Sequence, residues 1–287
     1  MSNRIIRDDI SFVDKTGGSN KTRTLWARTK IVGGYGLYKD QFGVSQLNEV
    51  CFEQENMVPL GGVQYAMEMI FGVKGSIVIP TLNELYQIGA LGSGITPAEG
   101  MPYAYGQKVC LFGIGVGGAA SNNLTTLDVN YNEYDISEMI PFRYTNDALS
   151  DSDSLKYFGK KYVDDVQAYF LKRFDTDPVI KHCYKSGIDG EDGPEADDNV
   201  FTSVNNTGIE SFTETCLTIT KKDVREWFIH NGNIEEARVN SIGLFTAVYD
   251  EQLQDYANIR LFSKLNIPTE PLSLTKDMNI IYRVYGA

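Results

Sequence analysis

Short apolar runs alternate with polar clusters at the end of the chain. The runs cover residues 240–249, 259–267 and 278–286, and they are rich in Ile, Val, Leu, Phe and Tyr. Clusters of Asp, Asn, Pro and Thr separate them. Nearly alternating apolar and polar positions, bounded by turn-forming residues, are typical of antiparallel strands. The pattern therefore predicts that the chain closes with three antiparallel strands.

Strand-like patterns also occur earlier in the chain. Residues 108–115 form an apolar run that predicts a buried strand, and residues 212–220 alternate well. Residues 126–144 and 179–185 are also strand-like, the former with Asn and Asp interruptions, whereas residues 166–174 fit a helix or a strand. We therefore expect an α+β fold, predominantly an antiparallel β-sandwich with a few short helices and an extended N-terminal arm.

Three segments have helical patterns. Residues 63–71 and 81–88 are each followed directly by a glycine, which commonly ends a helix. Residues 222–231 have an Asp near the start, an apolar stripe and an Asn next to a Gly at the end. We expect short helices near these three positions.

The N-terminal segment differs in charge from the rest of the chain. Residues 1–30 carry seven basic side chains and three acidic ones, and seven minus three leaves a local balance of +4. We expect residues 1–32 to form an extended basic arm that contacts a neighbouring copy, with a solvated tail as the alternative. The basic candidates for this contact are Arg4, Arg7, Lys15, Lys21, Arg23, Arg28 and Lys30.

The remaining residues, 33–287, are expected to form one β-rich domain. Within it, residues 187–199 hold six acids, no base, three Gly and one Pro, which predicts an exposed acidic loop. Asp189, Glu191 and Asp192 are candidate contacts to a neighbouring subunit. Their spacing does not follow the EF-hand pattern, so a solvated loop is the default and opportunistic cation binding is the alternative.

Charge and cysteine spacing narrow the functional classes. The net charge of −12 and the pI near 4.7 argue against general affinity for nucleic acid or an anionic membrane, because phosphate binding needs an excess of Lys and Arg. The four cysteines lie far apart and form no CxxC pair, which predicts free thiols in a reducing cytosol. No signal-peptide core or apolar run of about 18 residues is present.

Motifs for catalysis and cofactor binding are weak. Residues 113–118 satisfy GxGxxG and Glu133 follows at a suitable distance, but no apolar-periodic helix comes after the glycines. The only two histidines, His182 and His230, fit structural positions better than catalytic ones. We expect a non-enzymatic protein without catalytic residues, metal ligands or cofactors. A glycosidase whose two carboxylates lie far apart in sequence is the alternative.

Four stretches carry a resemblance to a known class of proteins. They are VCLFGIGVGG at 109–118, EEARVNSIGLF at 235–245, RLFSKLNI at 260–267 and NIIYRVY at 279–285. In this order they resemble the layout of structural proteins of tailed-bacteriophage virions. The resemblance spans about residues 108–287, whereas residues 1–107 resemble no family that we can name.

The resemblance implies a structural role in a virion that is assembled in the host cytoplasm. It implies that copies associate into a ring or lattice, with other virion proteins, at the head–tail connector or neck, the tail or the baseplate. A capsid decoration protein is one alternative. A carbohydrate-binding or carbohydrate-hydrolysing tail protein is another, for which exposed Trp should line a groove, and only Trp26 and Trp227 are available.

Overall fold

The computed structural model describes most of the chain. The described residues are 11–13, 22–24, 26–40, 43–55, 57–95, 97, 99–121, 125–185, 192–195, 209–232 and 236–286. Their fold is α+β and is dominated by antiparallel β-sheets with short helices, as the sequence predicts. Every strand pairing within these ranges is antiparallel.

The strands follow in chain order. They are β1 Ser11–Val13, β2 Thr22–Thr24, β3 Trp26–Lys39, β4 Ser45–Gln54, β5 Lys108–Gly115, β6 Met139–Ile140, β7 Arg143–Thr145, β8 Tyr157–Val163, β9 Val166–Arg173, β10 Val179–Lys185, β11 Asp192–Glu195, β12 Ile209–Ile219, β13 Arg238–Asp250, β14 Asp255–Pro271 and β15 Met278–Gly286. The three predicted closing strands correspond to β13, β14 and β15. The ambiguous segment at 166–174 is strand β9.

The helices are α1 Leu60–Phe71, α2 Leu82–Tyr86, α3 Asp151–Ser154 and α4 Arg225–His230. Helix α1 ends at Gly72, which adopts the left-handed conformation. Helix α2 begins with a capping box, because the Thr81 side chain accepts from the Glu84 backbone N–H and the Glu84 carboxylate accepts from the Thr81 backbone N–H. Helices α1, α2 and α4 lie where the sequence predicts them, and α3 was not predicted.

Two sequence expectations differ from the structure locally. Residues 126–144 contain only the short strands β6 and β7, because polar turns interrupt the pattern, as where the Asn130 backbone N–H donates to the Glu133 carboxylate. Of the predicted acidic loop at 187–199, residues 192–195 form strand β11, which pairs with β10. The other residues of that loop lie outside the described ranges.

The chain folds as two compact units. The first comprises Met1–Glu55, Asp175–Thr218 and Met278–Ala287, and the second comprises Asn56–Phe174 and Ile219–Asp277. This division differs from the predicted arm at 1–32 and single domain at 33–287. Residues 26–32 of the expected arm belong to strand β3, because their backbone pairs with β15 on one side, and with β4 on the other from Ile31 onward.

The first unit contains a six-stranded sheet with the order β11-β10-β12-β15-β3-β4. Strand β15, at the end of the chain, pairs with β3, near its beginning, and places Ile280 opposite Gly33. Gly33 is required by a close approach, since a Cβ there would lie 2.1 Å from the ring of Phe52 on β4. Strands β3 and β15, which lie far apart in sequence, are therefore held together by backbone hydrogen bonds.

The second unit contains a larger sheet with the order β14-β13-β5-β9-β7, to which β6 and β8 add on β5 and β9. The long hairpin β13–β14 closes at Asp250, whose carboxylate accepts from the backbone N–H groups of Gln252 and Leu253. The apolar core of the second unit includes Leu111, Leu171 and Phe245, all fully buried.

Helix α1 packs on strand β14 of the same unit. A Cβ at Gly62 would lie 1.9 Å from the carbonyl oxygen of Phe262, so the helix approaches the strand as closely as only glycine permits. Tyr65 adds an edge-to-face contact with the Phe262 ring at 5.9 Å. Together these contacts fix the position of α1 on the sheet.

Charged side chains are buried in both units. In the second unit, Lys172 Nζ lies 2.9 Å from Asp223 Oδ2, and both side chains are almost completely buried. Tyr157 donates to the other oxygen of Asp223 at 2.6 Å. In the first unit, the buried Glu214 carboxylate accepts from the guanidinium Nε of Arg283 at 3.0 Å. Because these charges are paired and hydrogen-bonded, they are compatible with burial.

Candidate interaction surface

The structure gives positions for some of the candidate contact residues of the first unit. Arg23 lies on β2, Arg28 on β3 and Asp192 on β11. Lys30 on β3 forms an ion pair with Glu53 on β4, with 3.3 Å between Nζ and Oε1. The candidates that lie outside the described residues are Arg4, Arg7, Lys15, Lys21, Asp189 and Glu191. The ion pair of Lys30 with Glu53 joins neighbouring strands of one sheet.

A different surface, in the second unit, has the strongest interaction character. Six large apolar side chains within ten consecutive residues are exposed by between 43% and 68% of their area. They are Met69, Ile70, Phe71, Val73, Ile77 and Val78, which we call the apolar surface. Scattered exposed apolar residues are ordinary, but six within ten consecutive residues is a marked concentration, and concentrated exposed apolar area is typical of an interaction site.

The local sequence explains why these side chains face outward. Helix α1 buries Gly61, Gly62 and Ala66, so its small residues face the sheet. Met69, Ile70 and Phe71 are consecutive in the last turn, and consecutive helical residues cannot all share the buried face. The helix then ends at Gly72, and the following segment continues the exposed group with Val73, Ile77 and Val78.

A buried glutamate holds the segment that follows the helix. Glu68 is 2% exposed, and one of its oxygens accepts from the backbone N–H of Gly75 at 2.9 Å and from Gln64 Nε2 at 2.9 Å. Its other oxygen accepts from the backbone N–H of Ala104 at 2.7 Å. Glu68 therefore ties both the segment after α1 and a second loop to the helix.

Two further side chains attach the end of the same segment. Gln64 Nε2 donates to the carbonyl oxygen of Ile77 at 2.8 Å. Arg260 Nε, on β14, donates to the carbonyl oxygen of Ile79 at 3.1 Å. Residues 72–79 are therefore bound at their beginning and at their end, so the apolar surface is preorganised.

Two cationic side chains, one from within residues 69–78 and one from β14, lie over the same aromatic ring. Lys74 Nζ lies 4.8 Å from the centroid of the Tyr103 ring, and the guanidinium carbon of Arg260 lies 5.4 Å from the same centroid. Burial lowers the pKa of Arg260, and the charges of Glu68 and Glu84 oppose this change. Residues 69–78 contain no acid, so the apolar surface carries no negative charge of its own.

A small recess lies next to this network. Its lining includes Tyr65, Glu68, Gln107 and Arg260, and Nη1 of Arg260 has no hydrogen-bond partner within the described residues. Burial raises the pKa of Tyr65 to about 12. The recess has room for about one water molecule. A buried water that bridges polar groups fits this space, and an organic ligand does not.

The described residues were also searched for metal ligands and membrane spans. No group of three or more His, Cys, Asp or Glu side chains in these ranges is arranged to hold a metal ion. No helix in the same ranges has the length and apolar character needed to cross a membrane. Of the glycine-rich residues 113–118, the first three are the end of strand β5, and the chain bends after them. The Gly118 backbone N–H donates to Asn240 Oδ1 at 2.7 Å.

Comparison with known proteins adds no relative. No protein-family model, curated protein or solved structure matches the chain. The resemblance to tailed-phage virion proteins therefore stays a prediction from the four sequence stretches. Three of them contain parts of β5, β13 and β14, which are neighbours in the sheet of the second unit, and the fourth lies on β15 in the first unit.

Sequence reasoning missed the apolar surface. The pattern at 63–71 predicts a helix, but it does not show which side of the helix is covered. A signal was present, because the three large apolar residues 69–71 are followed by a glycine and then by Val73, Ile77 and Val78. Such a run is too wide for the buried stripe of one short helix.

Proposed function

We propose that this protein is a structural, non-enzymatic component of a tailed-phage virion that functions by assembling with copies of itself and with other virion proteins. The head–tail connector, the tail and the baseplate are the proposed locations, on the basis of the sequence resemblance. The observation that carries the proposal is the preorganised apolar surface formed by residues 69–78. The buried centre of a protein–protein interface is more apolar than the rest of the surface, and residues 69–78 have this character.

The size of the apolar surface supports association. Given the exposed fractions of its six side chains, it presents roughly 500 Å² to solvent, which is near the upper end for the largest patch on a typical monomer. Its backbone is tied down by Glu68, Gln64 and Arg260. Little conformational entropy is therefore lost when a partner covers it.

The charge of the chain favours assembly that is controlled rather than indiscriminate. A net charge of −12 keeps separate copies apart in solution. An apolar surface that contains no acid overcomes that repulsion only where it is matched by another surface. An acidic chain of two β-rich units, whose described residues include the concentrated apolar surface at 69–78, fits the requirements of a subunit in a larger particle.

Assembly is tested first with the purified protein. Sedimentation velocity from about 1 to 100 μM should show a concentration-dependent increase in mass, because association is driven by mass action. Negative-stain electron microscopy of the largest species should show rings or ordered arrays. A protein that remains a monomer over the whole range would contradict the assembly proposal.

The location is tested on particles. Antibody raised against the protein should label intact phage particles from a lysate in which the protein is made, and the labelled position identifies the neck, tail, baseplate or capsid. Labelling of a capsid surface would favour the decoration alternative. Unlabelled particles, with all of the protein in the soluble fraction, would refute a virion role.

A further inference from the structure

We infer that the apolar surface at residues 69–78 is an isologous contact, in which it packs against the same surface of a second copy of this chain. The inference rests on the proposed function, because it names the partner and the symmetry of one assembly contact. In an isologous contact a two-fold axis relates the two copies, so the same patch of each copy forms the interface.

Charge selects the same surface as the partner. Two copies that each carry −12 repel one another wherever their acidic faces meet. Residues 69–78 contain no acid and one base, Lys74, whose ammonium lies over the Tyr103 ring. Contact between two apolar surfaces therefore brings no carboxylates of these residues together, and it desolvates no unpaired negative charge.

Apolar complementarity points to the same partner. Among residues whose side chains the structure describes, no stretch of ten outside 69–78 contains more than two exposed large apolar side chains. Residues 69–78 are therefore the densest run of exposed apolar side chains in the described part of the chain, and a second copy supplies the same run as a matching partner. An apolar group gains free energy only when its partner also excludes water.

The area agrees with a reversible dimer. If each copy contributes roughly 500 Å², the contact buries about 1,000 Å² in total, near the lower limit for a specific interface. Weak complexes occupy this range, with dissociation constants on the order of micromolar. We therefore expect a dimer that forms at micromolar concentrations and that is strengthened when a larger assembly supplies further contacts.

The test uses paired charge variants at two exposed positions. One variant carries Phe71→Asp and Val78→Asp, and the other carries Phe71→Lys and Val78→Lys. Each alone should weaken the dimer by about 100-fold, because the contact would bury like charges opposite one another. An equimolar mixture should recover association to within about tenfold of the wild-type chain, since opposite charges then meet across the contact.

The matched control is Leu155, which is 70% exposed in the same unit and lies outside the apolar surface. Leu155→Asp and Leu155→Lys should dimerise like the wild-type chain. Circular dichroism and thermal melting of every variant establish that it is folded, and substitutions at exposed positions should shift the melting temperature little.

The outcomes separate the inference from the proposed function. Association that is lost in both variants and recovered in the mixture supports the isologous contact. Association that is lost in both variants and not recovered overturns it, because the surface then meets a different face, while the assembly proposal stands. Wild-type and variant chains that associate equally also overturn it. A wild-type chain that never associates contradicts the proposed function itself.

Discussion

The buried carboxylate of Glu214 should make the first unit sensitive to acid. Ser45 Oγ donates to Oε1 at 2.6 Å, and the Arg283 guanidinium donates to Oε2 at 3.0 Å. Lys39 Nζ lies 3.0 Å from the carboxylate, and Lys181 Nζ lies 3.7 Å away. One anion therefore joins β3, β10, β12, β15 and the beginning of β4, so its ionisation stabilises the packing of five strands.

The pKa of Glu214 determines the size and the sign of the effect. Burial by itself raises the pKa, but the hydrogen bonds from Ser45 and Lys39 and the charge of Arg283 outweigh it and lower the pKa to about 2. The unfolded chain titrates near 4.5. The ionised group thus contributes about 3 kcal/mol above pH 4.5, and this contribution is lost as the pH falls through 2. At pH 3, about 2 kcal/mol of it should be gone.

The measurement needs a separate probe for each unit, because a protein with two units need not unfold in one step. The two tryptophans allow this, since Trp26 lies on β3 in the first unit and Trp227 lies on α4 in the second. Urea unfolding is followed by fluorescence in Trp227→Phe and Trp26→Phe backgrounds at pH 6 and pH 3. Glu214→Gln should lower the free energy of unfolding by about 3–5 kcal/mol at pH 6, because buried cations lose their counter-charge.

The wild-type chain and the Glu214→Gln variant should differ in their free energy of unfolding by about 2 kcal/mol less at pH 3 than at pH 6. This change should be seen only when unfolding is followed by the fluorescence of Trp26. Glu53→Gln is the matched control in the same sheet. Glu53 is 57% exposed, so its pair with Lys30 should contribute about 0–1 kcal/mol. If Glu214→Gln and the wild-type chain lose equal stability between the two pH values, the assigned role of this carboxylate is wrong.

Three further predictions concern packing, buried charge and association. Gly62→Ala should cost about 3 kcal/mol in thermal or urea unfolding, because its Cβ would meet the Phe262 carbonyl, whereas Gly94→Ala, with open space around the Cβ, should change little. Lys172→Met should cost about 3–5 kcal/mol because it leaves Asp223 buried without a cation, and a loss below about 1 kcal/mol would show that the pair is dispensable. Raising NaCl from about 20 to 300 mM should strengthen the dimer several-fold in sedimentation experiments by screening the repulsion between acidic copies. A weaker dimer at high salt would indicate ionic contacts instead.

Local patterns predicted the elements whose signals are local. Helix α1 and its end at Gly72 follow from the apolar residues at 63–71 and the glycine that follows them. The hairpin of β13 and β14 follows from alternating residues on either side of a turn at Asp250. In these cases the residues that define the element are neighbours in sequence, so the pattern contains the required information.

Strand β3 shows why other elements were missed. The sequence predicts an extended arm at residues 1–32, but in the structure residues 26–32 belong to β3, and Gly33 on the same strand leaves room for the Phe52 ring within a sheet. Strand β3 pairs with β4 on one edge, and on the other edge with β15, which is about 250 residues away in sequence. Neither the close approach nor the pairing has a local signal, so a sequence pattern cannot specify them.

The start of helix α4 illustrates the same limit for charged residues. Asp223 lies near the start of the helix predicted at 222–231, where it would be expected to accept from backbone N–H groups of the first turn. In the structure its carboxylate instead accepts from the backbone N–H of Thr220, which precedes it, at 2.7 Å. The same oxygen is 2.9 Å from Lys172, and helix α4 begins only at Arg225 after Val224 adopts a left-handed conformation. The role of Asp223 depends on a lysine 51 residues earlier, which no local pattern reveals.

Buried and exposed charges have opposite consequences for this chain. The buried groups Glu214, Asp223 and Glu68 each join separate segments, so their charges make the two units specific and rigid. The excess negative charge keeps copies apart. The apolar surface at residues 69–78 combines both properties, because a buried carboxylate fixes its backbone while the exposed residues themselves carry no acid. We therefore propose this rigid, acid-free surface as the place where two copies approach at low electrostatic and entropic cost.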